Sequence, residues 1–311
     1  MKLNLSSVLL VLLAIGSPAF VFAQDDDPPF STSDTNVGYI DSAIPMTQVR
    51  VRFDSAFDNP TPDRAEFFYR ASTAATGVPL SPAETGVDYQ ELWSYLELAL
   101  SSEVSVFVDI PFRFIDPELN PNRSGLGDIQ LGMKGVLWSQ PNQILSAQLR
   151  TYLPTGDADR LLGTDHVSLE PALLYARRLS DRTIIESEFR VWVPINGTVV
   201  PEGDFAGSIL RFGMGIGHDL YQTSDCCGQN PRRLTAVAEF VGWSILDGLA
   251  TVPDTPTQAQ IIDVSGDTIV NGKFGLRWTD SDRSIFAGYG RSLTGDVWYN
   301  DIVRLEYAMR F

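Results

Sequence analysis

Residues 301–311 at the C-terminal end of the sequence read DIVRLEYAMRF, with apolar side chains at every second position. One face of this stretch carries Val303, Leu305, Tyr307, Met309 and Phe311. The other face carries Arg304, Glu306, Ala308 and Arg310. Successive side chains of a β-strand point to opposite faces, whereas the faces of a helix repeat every 3.6 residues. The period of two therefore predicts a strand with one apolar and one largely charged face.

The same alternation recurs along the chain and predicts twelve strands. Their approximate bounds are 48–57, 89–101, 104–115, 127–139, 143–153, 167–179, 183–193, 207–220, 233–245, 268–279, 284–292 and 301–311. Strands of soluble domains usually have about 5 to 6 residues, whereas strands that cross a bilayer need about 9 to 11. Each predicted segment reaches the longer value. We therefore predict an all-β fold, an antiparallel transmembrane β-barrel of about 12 strands.

The strand phase separates charged from apolar side chains. The polar face collects twelve cations and eleven anions, whereas the apolar face carries only Arg177, near a strand end. In a membrane barrel the apolar face meets lipid and the polar face lines the interior. Ten side chains are predicted to line the lumen: Arg50, Arg52, Arg113, Lys134, Arg150, Glu186, Glu188, Arg190, Arg211 and Arg304.

Glycines share the inward phase of some strands, most clearly Gly213, Gly215 and Gly217. Two interpretations stay open. Positions without side chains either leave one wall of the lumen bare, or allow the strand to curve and the barrel to close.

Connection lengths give a separate indication of the barrel. Short links fall at 102, 139–142, 180–182 and 280–283, and they alternate with long links at 58–88, 116–126, 154–166, 194–206, 246–267 and 293–300. Short periplasmic turns and long outer loops are typical of outer-membrane barrels. One link, 221–232, is long where a short turn is expected. The alternation places both chain ends on the periplasmic side.

The first residues are typical of an export signal. Lys2 precedes an apolar run from Val8 to Ile15, and Val21–Ala23 provides a cleavage site with small residues. We predict a signal peptide over 1–23, a periplasmic N-terminal arm over 24–47 and an outer-membrane barrel over 48–311. Whether residues 24–46 enter the lumen is left open.

Composition excludes several function classes. The formal net charge of −16 provides no basic stripe for nucleic acid. With His166 and His218 as the only imidazoles, no catalytic constellation is recognisable, so we expect neither an enzyme nor a bound cofactor or metal. Cys226 and Cys227 are adjacent, and a vicinal disulfide, pairing with another chain and two free thiols all remain open.

Three motifs resemble a known family. They are SGLGDIQLGMK at 124–134, LPTGD at 153–157 and SLEPALLY at 168–175. They resemble the outer-membrane barrel transporter family labelled putative meta-pathway of phenol degradation. The resemblance implies passage of small, often aromatic or hydrophobic compounds, and it brings no catalytic residues. The charged inner face differs from what a purely hydrophobic channel would carry.

The sequence thus predicts an outer-membrane channel through which small molecules pass passively. Barrels of about eight strands have filled interiors and those of sixteen or more hold aqueous channels, so twelve strands favour a narrow path. The alternative is a plugged structural or surface-interaction barrel without transport. Expected partners are outer-membrane lipids, a small-molecule solute and the barrel-assembly machinery, which would recognise the C-terminal strand ending in Phe311.

Overall fold

A computed structural model of the chain describes residues 35–59, 86–119, 121–160, 162–195, 197, 199–200, 203–204, 206–223, 232–255, 258–295 and 299–311. Within these ranges the chain forms twelve long strands. They are β1 (Gln48–Asn59), β2 (Val87–Ala99), β3 (Val104–Pro117), β4 (Gln130–Gln140), β5 (Gln143–Tyr152), β6 (Val167–Ser180), β7 (Thr183–Ile195), β8 (Ile209–Gln222), β9 (Arg232–Ile245), β10 (Thr268–Asp280), β11 (Arg283–Ser292) and β12 (Asp301–Arg310).

The twelve strands close into one antiparallel barrel. Each strand pairs with the next along the chain, and β1 also pairs with β12, so that Gln48 lies opposite Arg310 on one side and Glu97 on the other. Closure leaves no strand edge unpaired, as a sheet inside lipid requires. The predicted fold class is confirmed.

Shorter elements lie near the ends of the long strands. Residues Arg123–Leu126 pair with β3, and Leu249–Thr255 forms a hairpin with Gln258–Asp263. A two-residue ladder joins Val199–Val200 to Gly203–Asp204, and a single helical turn spans Ala158–Arg160. Among the residues that the structure describes, no helix is long and apolar enough to span a membrane.

The two faces of the barrel differ as the alternation predicts. Large apolar side chains on the outer face are exposed, for example Phe274 at 63% and Met214 at 57%. Long charged side chains on the inner face are buried, for example Arg190 at 1% and Lys134 at 2%. Arg177, the charge predicted on the apolar face, is exposed near the end of β6. The charge of the strands is therefore concentrated in the interior.

One end of the barrel carries short turns together with the two described chain ends. Only residues 141–142, 181–182 and 281–282 separate three of the strand pairs there. At the same end, the Phe311 backbone N–H donates to the Thr47 carbonyl at 3.0 Å. We call this the terminal end, and the opposite end, with the longer links, the loop end.

Residues 35–47, which precede β1, lie inside the barrel, and we call them the luminal segment. Val37, Tyr39 and Ile40 belong to a buried cluster with side chains of the barrel wall. The predicted signal peptide 1–23, residues 24–34 of the predicted arm, and the pair Cys226 and Cys227 lie outside the described residues.

Candidate functional site

The luminal segment forms a loop that rises from the terminal end and returns towards it. Near its exit into β1, the Met46 N–H donates to Glu97, two positions before the last residue of β2. Ile40 marks the deepest part, beside Gly213, nine positions before the last residue of β8. Thr35 is again close to the terminal end, where it binds Glu186, three positions after the first residue of β7. The loop therefore enters the lumen from the terminal end and reaches past the middle of β8.

Two glutamates of the wall bind the backbone N–H groups of the luminal segment. Glu186 accepts from Asn36 N at 2.9 Å and Val37 N at 3.1 Å, and from the Thr35 hydroxyl at 2.8 Å. Glu239 accepts from the N–H groups of three consecutive residues, 38–40, at 2.9 to 3.4 Å. Buried N–H groups outside a sheet need partners, and a carboxylate is a strong acceptor. These two side chains thus replace the strand neighbours that the segment lacks.

Cations of the wall bind the carbonyl groups of the same segment. Arg277 donates to Val37 O at 2.6 Å, and Arg211 donates to Tyr39 O at 2.9 Å. Arg304 donates to Gly38 O, and Lys134 donates to Ile44 O at 3.3 Å. Opposite charges on the wall therefore bind the donors and the acceptors of one backbone stretch.

Asp41 is the only charged residue of the luminal segment. Its Oδ2 accepts from Arg150 Nη2 at 2.7 Å, Arg190 Nη2 at 3.0 Å and Gln148 Nε2 at 3.0 Å. Its own N–H donates to Glu188 at 2.9 Å. Burial raises the pKa of this carboxyl, but the guanidinium groups of Arg150 and Arg190 outweigh burial and hold the pKa well below its ordinary value. Asp41 is therefore ionised at neutral pH.

Tyr39 lies between two cations. Lys273 Nζ and Arg304 Cζ are each 4.0 Å from the centre of its ring, and Phe286 meets the ring edge-on at 6.1 Å. Cations over an aromatic face are attracted by its quadrupole. The backbone beside Tyr39 packs tightly against Phe286, since a Cβ on Gly38 would lie 2.3 Å from the Phe286 ring.

The inward glycines of β8 accommodate the luminal segment. A Cβ on Gly213 would lie 2.5 Å from Ile40 Cγ2, and a Cβ on Gly217 would lie 2.7 Å from Asn36 Cβ. A Cβ on Gly215 would instead meet Glu239 of the neighbouring strand at 2.9 Å. Gly213 and Gly217 therefore fit the interpretation that glycines leave one wall of the lumen bare. The space beside them is filled by Ile40 and Asn36 of the luminal segment.

All ten side chains predicted to line the lumen are on the inner side of the wall. Arg113, Lys134, Arg150, Glu186, Glu188, Arg190 and Arg304 are buried, and Arg50, Arg52 and Arg211 are half-buried. Arg190 contacts Glu188, and Arg211 binds Glu188 at 2.9 Å, so these side chains form one group with Asp41. Arg113 lies apart, since it binds Glu91 at 2.7 Å and the carbonyl of Leu162 in a link at the loop end.

The alternation assigns further partners of this site to the polar face, but they are not among the ten side chains predicted to line the lumen. Asp54 forms a two-pronged pair with Arg304 at 2.6 and 2.7 Å, and Arg277 binds Glu306 at 3.0 Å. These side chains share the inward phase and could have been added on that signal. Asp41 and Tyr39 lack such a signal because they lie outside any strand.

The two histidines are not brought together. His166 precedes β6 at the loop end and meets Trp192 edge-on at 5.8 Å. His218 is near the terminal end on the outer face of β8, where its ring is 2.9 Å from the Thr183 hydroxyl. In the part of the chain that the structure describes, no group of three His, Cys, Asp or Glu residues is placed to hold a metal ion.

A known protein family is similar to the first part of the barrel wall. The family described as Putative MetA-pathway of phenol degradation matches residues 50–186. The predicted family resemblance is confirmed. This match covers β1 to the start of β7 and includes the three motifs, from the glycine-rich stretch at 124–134 to the strand at 168–175.

Among solved structures, an outer-membrane channel supports the fold, and two others align less closely. An outer-membrane channel from Pseudomonas putida F1 aligns at a TM-score of 0.54 with 14% identity, over 89% of this chain and 100% of that chain. The NanC porin aligns at 0.48 with 7% identity, over 85% and 100% of the two chains. The β domain of the Bordetella autotransporter BrkA aligns at 0.48 with 12% identity, over 86% and 100%. The search of curated proteins finds no match.

Proposed function

We propose that the protein is an outer-membrane channel for passive passage of small molecules, and that the luminal segment controls how far the path is open. The observation that carries this proposal is the way the segment is bound. Wall side chains contact its backbone, and among the described residues no strand of the barrel pairs with it. The hydrogen-bond ladder of the barrel is complete without the luminal segment. Withdrawal of the segment would therefore break no strand pairing.

The solute class that we propose is a small aromatic compound with a polar substituent. The description of the matching family names phenol degradation, which supports an aromatic ring. The lumen places arginines over aromatic rings, with Arg50 4.3 Å from the Tyr95 ring and Arg52 4.8 Å from the Trp93 ring. Such a lining suits rings that also carry a hydrogen-bonding group better than bare hydrocarbons.

The location and partners follow from the same proposal. The exposed apolar face would contact outer-membrane lipids, the segment 1–23 would direct export, and the strand ending in Phe311 would be recognised by the barrel-assembly machinery. Transport would be passive because no nucleotide-binding motif is recognisable in the sequence. The protein would act as a channel and not as an enzyme.

Ion conductance in a planar bilayer tests the proposal. The mature protein would be compared, after refolding, with a variant that lacks residues 24–46. We expect low conductance from the intact chain and a severalfold increase after the deletion. Equal conductance from both forms would contradict control by the segment while leaving an open channel.

A plugged structural barrel is the second candidate function. The contacts that hold residues 35–47 in the lumen favour it, because they could be permanent. Absence of conductance from both forms, with circular dichroism showing folded barrels in each, would favour this second function and contradict the channel.

A further inference from the structure

We propose that Arg150, Arg190 and Gln148 form a carboxylate-binding site in the lumen, and that Asp41 occupies it as a built-in mimic of a solute carboxylate. This inference rests on the proposed channel function for its solute. It adds the chemical group that the path would recognise, which the family match does not specify.

The three donors converge on one oxygen. Arg150 Nη2, Arg190 Nη2 and Gln148 Nε2 are 2.7, 3.0 and 3.0 Å from Asp41 Oδ2. They come from two strands of the wall, β5 and β7, and not from the luminal segment itself. The site would therefore remain in the wall if the segment moved.

Each guanidinium is held in place by a second contact with the wall. Arg150 Nη1 donates to Gln130 at 2.5 Å, and Arg190 Nη1 donates to Glu170 at 2.7 Å. Donors that are fixed before the ligand arrives lose little freedom when they bind it. The geometry that receives the Asp41 carboxylate is thus available to the carboxylate group of another molecule.

Local charge favours an anion at this position. Arg150, Arg190 and Arg211 form a group with Glu170 and Glu188 through contacts within 4.0 Å. Three cations face two wall carboxylates, which leaves one positive charge, and Asp41 neutralises it. Because an unpaired charge in a buried site is destabilising, departure of Asp41 would favour the binding of another anion.

Two further features distinguish Asp41 from an ordinary structural acid. It is the only charged residue in the segment 35–47, whose other polar contacts to the wall come mainly from its backbone. Its side chain is also 19% exposed, whereas that of Arg190 is 1% exposed. The side chain of Asp41 is therefore not fully enclosed by the described residues.

Calorimetry on the detergent-solubilised full chain tests the site with sodium benzoate and its neutral analogue benzamide. The substitution Asp41→Ala empties the site. We expect this variant to bind benzoate at least about tenfold more tightly than the unmodified protein does, because hydrogen bonds to charged groups contribute enough free energy for such a change in affinity. Benzamide binding should stay unchanged. Asp263→Ala removes a negative charge from the hairpin at the loop end and should behave as the unmodified protein does.

Two more variants assign the effect to the named donors. Asp41→Ala combined with Arg150→Gln removes one charge of each sign and should abolish the gain in benzoate affinity. Asp41→Ala combined with Gln148→Leu removes only a neutral donor, so it keeps the charge balance and should lower the gain severalfold. Equal benzoate affinity in the Asp41→Ala and unmodified proteins, or an equal gain for benzamide, would overturn the proposal.

Binding in detergent needs no open path, so this test separates the site from the channel. Selective benzoate binding in a protein that never conducts would retain the carboxylate site and contradict a role in transport. Conductance without selective benzoate binding would retain the channel and overturn the site. Selective binding together with block of the Asp41→Ala current by benzoate, but not by benzamide, would support both.

Discussion

At Gly213 and Gly217 the absence of a side chain determines whether the luminal segment fits. Cβ atoms there would approach Ile40 and Asn36 to 2.5 and 2.7 Å, closer than two carbon atoms pack. Glycine weakens a strand interior, so its presence at inward positions needs a reason such as the close approach of another backbone. The segment provides that reason at these two positions.

The combined variant Gly213→Ala and Gly217→Ala should displace the luminal segment while leaving every charge of the lumen in place. We expect a severalfold increase in single-channel conductance, because the added methyl groups would occupy the volume of Ile40 and Asn36. Gly135→Ala is the matched control, since a Cβ there meets no atom within 4 Å. Conductance that stays at the level of this control would contradict the prediction.

Arg304 connects the barrel wall to the luminal segment. It pairs with Asp54 at 2.6 and 2.7 Å and also binds the Gly38 carbonyl. Arg304→Gln should lower the free energy of unfolding by about 3 kcal/mol, because it leaves a buried carboxylate without its main partner. Thermal or denaturant unfolding in detergent measures this change.

A double-mutant cycle provides the control for Arg304. The combined variant Arg304→Gln and Asp54→Asn removes both charges, so it should be more stable than Arg304→Gln alone. The two short contacts predict coupling between Arg304 and Asp54, and strictly additive losses from the two substitutions would contradict it.

At the scale of single elements, strand bounds followed the alternation closely except where a loop contact intervened. The strand predicted over 127–139 begins at Gln130, because residues 127–129 interrupt the regular pairing with β3, although the Gly127 N–H still donates to the Pro111 carbonyl at 2.9 Å. Asp128 there accepts from Gly156 N at 3.0 Å and Thr164 N at 2.8 Å, so it organises a link at the loop end. The inward phase of Asp128 alone does not distinguish this role from an ordinary position in the lumen.

The last strand, β12, should be needed for assembly through its terminal ring. Phe311 is 74% exposed, and its only described backbone contact outside the sheet is the 3.0 Å bond to Thr47. Phe311→Ala should reduce severalfold the amount of folded protein in the outer membrane, as measured by fractionation. Phe311→Trp keeps an aromatic ring and should assemble normally.

A control for this effect comes from another exposed ring. Phe274→Ala removes an outward side chain from the middle of β10 and should leave assembly much closer to normal. If Phe274→Ala and Phe311→Ala reduce assembly equally, the loss reflects lipid-facing area and not a terminal recognition signal.

At the scale of the whole molecule, the separation of charge from apolar surface favours a lipid environment. The wall carries exposed rings and aliphatic side chains around its outside, while ion pairs such as Arg190–Glu170 and Arg304–Asp54 are enclosed. Exposed apolar area of this extent is unfavourable in water. Closure through β1 and β12 also satisfies the backbone without a sheet edge.

The protein should therefore remain in the membrane fraction after washing with high salt and alkaline carbonate, and should dissolve only with detergent. A secreted soluble domain expressed with the same leader is the control and should be released by the wash. Release of this protein without detergent would favour a soluble β-sheet protein instead.

The sequence by itself determined the strands, their two faces and the closed barrel, since alternation and strand length are local properties that lipid constrains directly. It also indicated which charges face inward. Only the tertiary structure decided what fills the lumen. The contacts that place residues 35–47 join groups far apart in sequence, 150 residues for Asn36 and Glu186 and 266 for Gly38 and Arg304. Most of them use backbone N–H and carbonyl groups, which are not specific to any side chain, so no side-chain pattern could reveal them.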